Sequence, residues 1–65
     1  MSERLLRLPE VIRRVGYSRP SIYRKIDNAE FPAPVQLGGR AVAWLESEIN
    51  AWIESRVNAR QIVQE

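Results

Sequence analysis

The side chains best suited to chemistry in this chain lie in one short run. Ser18, Arg19, Ser21, Tyr23, Arg24 and Lys25 crowd together, three of them cationic and three carrying hydroxyls. Such groups donate hydrogen bonds and neutralise anions; they do not by themselves make or break covalent bonds. The chain has no His and no Cys, so the commonest general base and the thiolate nucleophile are both missing. A disulfide framework and a Cys/His zinc site are excluded with them. The acidic residues are scattered rather than paired, and no Gly-rich phosphate loop of the required spacing is present. The reading is a protein that is not an enzyme, with no metal, cofactor or small-molecule substrate, whose polar run recognises a polyanion. On duplex DNA an Arg can bind a guanine edge through two hydrogen bonds, worth about 1–3 kcal/mol of discrimination. Other cations position the protein on phosphates.

The whole chain is consistent with that task. Its 65 residues make one domain at most, and a domain this small buries only ~60% of the surface its unfolded form exposes. Net charge is +2, unevenly spread. Residues 1–40 hold eight Arg/Lys against four Asp/Glu (+4), and residues 41–65 hold two Arg against four Glu (−2). The basic part can face a polyanion while the acidic part faces away; an ordinary solvated surface is the alternative reading. No apolar leader and no bilayer-spanning run occurs, so a cytoplasmic protein without membrane contact is expected.

Three helices and a hairpin are expected to position the polar run. Residues 1–7 read as a short basic arm, and Leu6 or Leu8 is expected to pack on the first helix. Residues 8–60 read as the folded domain, and residues 61–65 as a tail in which Ile62 and Val63 fray. Pro9 can open a helix, and Val11, Ile12 and Val15 form one apolar face, predicting a helix over about Pro9–Val15. Gly16 stops it, because glycine adopts a left-handed backbone without penalty. Ser18 is a good N-cap for a second helix over about Arg19–Asn28, with Pro20 tolerated in its first turn and Ile22 and Ile26 facing inward. Phe31-Pro32-Ala33-Pro34 is extended. Gly38-Gly39 between two β-prone runs predicts a two-residue hairpin turn. In that register Val35 pairs with Val42 and Leu37 with Arg40, and Val35, Leu37, Val42 and Trp44 cover the helices. A last helix over about Leu45–Arg60 carries the stripe Leu45, Ile49, Trp52, Ile53 and Val57. Trp44 and Trp52 fall on apolar faces and read as core rather than as base-stacking platforms.

Two short helices joined by Gly16-Tyr17-Ser18 have the form of a helix-turn-helix, with Tyr17 filling the corner. This fold presents the N-terminal end of its second helix to the major groove. On a helical wheel Arg24 lies opposite Ile22 and Ile26 and is the best candidate for a base edge. Ser21 suits a base or a phosphate, and Arg19, Tyr23 and Lys25 suit phosphates. Arg40 at the hairpin tip suits the adjacent minor groove, or else covers Leu37 with its stem. The fold class expected is mainly α with a small β-hairpin, a winged helix-turn-helix.

The runs Leu8-Pro9-Glu10-Val11, Gly16-Tyr17-Ser18-Arg19-Pro20-Ser21-Ile22-Tyr23-Arg24-Lys25-Ile26, Phe31 to Trp44, and Leu45 to Ile53 resemble, in the same order, the AlpA family of phage regulatory proteins. The resemblance spans about Leu5 to Arg60. It implies a winged helix of the MerR-like and excisionase-like kind, and a prophage or mobile-element regulator of transcription or excision. By position it implies DNA-facing roles for Ser18, Arg19, Ser21, Tyr23, Arg24, Lys25 and Arg40. Pro20 departs from the Ser or Thr more usual in the family, and Tyr17 from a smaller aliphatic residue. The partner expected is double-stranded DNA, bound as a homodimer or cooperative array, since one recognition helix reads few base pairs. The alternatives are an excisionase and a protein-interaction or antitoxin-type module that uses the apolar stripe of the last helix.

Overall fold

The structure, a computed structural model, describes residues 3–60. Met1, Ser2 and the expected tail at residues 61–65 lie outside the described residues. The elements run β1 (Leu5–Leu6), α1 (Leu8–Val15), α2 (Arg19–Asp27), β2 (Val35–Gly38), β3 (Ala41–Leu45) and α3 (Glu46–Ala59). The strands form an antiparallel sheet in the order β1-β3-β2. Three helices and a small three-stranded sheet make a winged helix-turn-helix, as expected.

The turn between α1 and α2 is set by two residues. Gly16 ends α1 at φ 79°, and its N–H donates to the Ile12 carbonyl at 2.8 Å, the left-handed stop that glycine adopts freely. Ser18 opens α2 in an extended conformation, and its hydroxyl accepts from the Ser21 N–H at 3.3 Å, which satisfies one of the orphan donors of a helix start. The far end of α2 closes differently. The N–H of Ala29 donates to Ile26 O at 3.0 Å and that of Glu30 to Lys25 O at 2.7 Å, the two bonds of a Schellman closure. Its left-handed position is held by Ala29, at φ 59°, where glycine would be unstrained.

The hairpin register differs from the expected one. Val35 pairs with Ala43, Gln36 with Val42 and Gly38 with Ala41, with a bulge that leaves Leu37 unpaired. The turn is Gly39-Arg40, one residue later than Gly38-Gly39. The cause lies in Gly38, whose φ of 127° is open to glycine alone and lets the strand absorb an extra residue. The shift moves Val35 opposite Ala43, and therefore off the face that carries Val42 and Trp44. Val35 and Leu37 accordingly stay 38% and 44% exposed and do not cover the helices.

Strand β1 is an element the sequence pattern does not signal. Leu5 pairs with Leu45 and Leu6 with Trp44, which buries Leu6. The same segment starts α3. Leu45 is the last residue of β3 and the N-cap of α3, so the helix begins at Glu46, and Leu45 offers no side-chain cap. Glu3 supplies one: its carboxylate accepts from the Ser47 N–H at 3.1 Å and from Ser47 Oγ at 3.0 Å.

Every element except β2 contributes to the buried core: Leu6, Val11, Ile22, Trp44 and Ile49, with Phe31 from the loop after α2. Trp52 and Ile53 are half-buried against it. The two indoles take up carbonyls that the proline-rich loop leaves free. Trp44 Nε1 donates to Pro32 O at 2.9 Å and Trp52 Nε1 to Glu30 O at 3.0 Å, as buried Trp N–H groups require. Tyr17 fills the corner edge-on to Trp52, with ring centroids 5.9 Å apart.

Two stability measurements follow. Ala29→Gly relieves a left-handed alanine, offset in part by glycine's larger unfolded-state entropy. The net gain of about 0.5–1 kcal/mol raises Tm by about 3–6 °C. An unchanged or lower Tm would contradict the left-handed backbone at Ala29. The second concerns Glu10, whose carboxyl is lowered from 4.5 to about 2 by hydrogen bonds from Arg14 and then Arg13. A depressed folded pKa gives stability that is complete above about pH 4.5 and lost as pH falls towards 2. In urea unfolding, wild type should therefore lose a modest advantage over Glu10→Gln across that acid window; a constant difference would contradict the ion pairs.

Candidate nucleic-acid interface

The ten basic residues divide by whether a carboxylate answers them. Arg13 and Arg14 share Glu10, at 2.6 and 2.9 Å; Arg14 also reaches Glu46 at 3.1 Å, and Arg4 lies 4.0 Å from the same carboxylate. This chain of pairs ties α1 and the N-terminal segment to the start of α3. Lys25 lies 3.8 Å from Glu30. Among the described residues Arg7, Arg19, Arg24 and Arg40 have no carboxylate within ion-pair distance, nor do Arg56 and Arg60 at the end of α3.

Helix α2 sorts the expected site residues by azimuth. Ile22 is buried and Ile26 half-buried on the core side. Away from the core, Ser18, Ser21 and Arg24 form a linked row. Ser18 Oγ donates to Ser21 Oγ at 3.0 Å, and Arg24 Nη2 donates to the same oxygen at 3.3 Å. Ser21 Oγ therefore accepts twice and keeps its own proton for an outside acceptor. Arg24 is exposed, is aimed by this bond, and retains four further N–H donors.

The flank towards the wing carries Arg19 and Tyr23. The Arg19 guanidinium lies 5.6 Å from the centre of the Tyr23 ring, a cation–π distance, and Tyr23 packs edge-on to Trp44 with centroids 6.4 Å apart. Arg19 and Tyr23 meet Arg40 of the wing and Arg7 before α1 around one concavity of about 370 Å³, lined also by Leu8 and Val42. Arg40, in the hairpin turn, thus shares this concavity with two residues of α2. The opposite flank carries Lys25, whose Nζ lies 5.1 Å from the centre of the Tyr17 ring. The structure therefore gathers Arg19, Tyr23 and Arg40 around one concavity and links Ser18, Ser21 and Arg24 in a row, with Lys25 one turn beyond Ser21 and engaged with Tyr17 and Glu30.

Arg7 was not among the residues expected here. From sequence, Glu10 at i+3 is a ready partner for it. In the structure Arg7 is the non-helical cap residue of α1, and Arg13 and Arg14, correctly spaced on the helix, occupy Glu10 instead. That competition is the signal that Arg7 stays free. A second concavity of about 610 Å³ lies between the loop after α2 and α3, lined by Glu30, Phe31, Glu48 and Trp52 among others. Among the described residues no group of His, Cys, Asp and Glu could hold a metal ion, and no helix is long and apolar enough to cross a membrane.

The chain is 55% identical over 49 residues to the uncharacterized protein ORF88 of Enterobacteria phage P4, a match that covers 75% of this chain and 56% of that protein. It is 40% identical over 53 residues to the DNA-binding transcriptional activator AlpA of Escherichia coli (strain K12), covering 72% of this chain and 76% of that one. The chain thus spans little more than half the length of its phage P4 relative. Residues 4–57, from Arg4 before β1 to Val57 in α3, match the family described as prophage CP4-57 regulatory protein (AlpA), and the chain belongs to that family.

Proposed function

We propose that this protein is a sequence-specific double-stranded DNA-binding transcriptional regulator of a prophage or mobile element, acting in the cytoplasm without catalysis. The observation that carries the reading is the set of exposed arginines on α2 and the wing that no carboxylate neutralises, beside a turn and N-cap that fix the recognition helix. The name of the Escherichia coli relative, a DNA-binding transcriptional activator, supports the same assignment. In this reading α2 enters the major groove. Arg24 reads a base edge, aimed by Ser21, while Ser21 donates to a base or phosphate and Ser18, whose proton is held by Ser21 Oγ, orients that hydroxyl at the same face. Arg19 and Tyr23 take phosphates on the wing side, and Arg40 reaches the backbone or minor groove. Lys25 borders the interface, engaged with Tyr17 and Glu30. A helix of nine residues reads few base pairs, so specific sites are occupied by more than one copy.

Three measurements test this. Purified protein is used to select fragments of its host's DNA at near-physiological salt. The reading predicts a few sharp peaks at promoters of mobile-element genes; peaks confined to attachment sites would favour an excision factor, and no enrichment would contradict sequence-specific binding. On a selected site, Arg24→Ala should cost on the order of 1–3 kcal/mol and relax specificity, with little loss on random DNA. Equal losses on both would make Arg24 a phosphate contact. Lys25→Ala should leave the salt dependence unchanged, whereas a slope shallower by about one would put Lys25 on a phosphate.

A further inference from the structure

The concavity between α2, the wing and the start of α1 holds three guanidinium-bearing side chains and no carboxylate. Arg7, Arg19 and Arg40 line it together with Tyr23. Like charges drawn together without a counterion work against the compact state. Elsewhere the fold avoids this arrangement: Arg13 and Arg14 share Glu10, and Arg14 and Arg4 share Glu46. The convergence therefore calls for an anion from outside the chain. We propose that Arg7, Arg19 and Arg40, with the Tyr23 hydroxyl, seat one backbone phosphodiester of DNA, and that Arg7 is a binding residue outside both the recognition helix and the wing. The inference rests on the DNA-binding reading and adds a specific site to it.

The three arginines come from three separately fixed pieces of backbone. The Arg7 carbonyl accepts from the Glu10 and Val11 N–H groups at 3.0 and 3.1 Å, directly after the buried Leu6. Arg19 is the first residue of α2 and stacks on Tyr23. Arg40 sits in the hairpin turn after Gly39. Leu8 and Val42, also in the lining, bring no side-chain polar group that would compete for the arginines. Guanidinium groups suit phosphate oxygens, which they bind in pairs of parallel N–H bonds. One phosphate in this seat would also couple the wing to α2. All four residues of β2 are exposed, so the wing otherwise depends on its pairing with β3.

The test is Arg7→Ala and Arg7→Lys in the full chain, measured by fluorescence anisotropy on a selected duplex and a random one across about 50–200 mM salt. The seat predicts that Arg7→Ala weakens both duplexes on the order of tenfold and makes the log–log salt slope shallower by about one. Arg7→Lys restores the slope but not the full affinity, because an ammonium lacks the planar fork. The thermal midpoint of the free protein stays the same or rises, since a repelling charge has gone. Replacing phosphates singly by neutral methylphosphonates should find one linkage that matters to wild type and not to Arg7→Ala. If wild type binds DNA and Arg7→Ala binds equally well with the same slope, the seat is wrong and the DNA-binding reading stands. If wild type binds no duplex, that reading itself fails. A lowered midpoint in both variants would make Arg7 structural and overturn the proposal. Stabilisation of wild type by inorganic phosphate, lost in Arg7→Ala while DNA affinity is untouched, would make this a free-anion site and overturn it equally.

Discussion

The Trp44 indole is fully buried, and its N–H is bound by the Pro32 carbonyl 2.9 Å away. In a chain of 65 residues without disulfide, this constraint joins the parts that must be held in register. Trp44 sits in the central strand, pairs with Leu6 of β1, and meets Tyr23 of the recognition helix edge-on. Through Pro32 it also fixes the extended loop that carries the chain from α2 to the wing. Move this ring, and the helix and the wing lose their common reference. Trp52 repeats the device from α3, on the carbonyl of Glu30. Two aromatic donors thus satisfy a proline-bearing loop whose carbonyls have no regular partner.

Around that hub the charges have two roles. Arg4, Arg13 and Arg14 are spent inside the molecule on Glu10 and Glu46, and Glu3 caps α3. These residues bind the N-terminal segment, α1 and α3 to one another. Arg7, Arg19, Arg24 and Arg40 have no such partner and lie on or beside the recognition helix and wing. A net charge of +2 understates this segregation, because the neutralised arginines and the free ones count alike in a sum. Unanswered charge held on rigid elements is the kind of local conflict expected where a structure meets a ligand.

The helix-turn-helix was legible because its determinants are local. Gly16 ends one helix, Ser18 caps the next, and apolar residues at helical spacing mark the inner faces. The hairpin was only half legible. Gly38-Gly39-Arg40 accommodates a turn at either of two neighbouring positions, and the apolar character of Val35 and Leu37 points to the one that buries them. The bulge made possible by Gly38 decides for the other. Strand β1 and the Glu3 cap were not legible, since both depend on partners about 40 or more residues away in sequence and are too short to leave a periodic pattern. Arg7 escaped for a related reason: its apparent partner Glu10 is claimed by better-placed arginines only once α1 has formed.

The central claim is that the face bearing the unpaired arginines, and not the one bearing the paired arginines, meets DNA. It is tested most directly by following backbone and arginine side-chain NMR signals as a selected duplex is added. The account predicts the largest shifts at Ser18, Arg19, Ser21, Tyr23, Arg24, Arg40 and Arg7, with Arg4, Arg13 and Arg14 little changed. Shifts centred on Arg13 and Arg14, or on the groove of Glu30, Phe31 and Trp52, would contradict it.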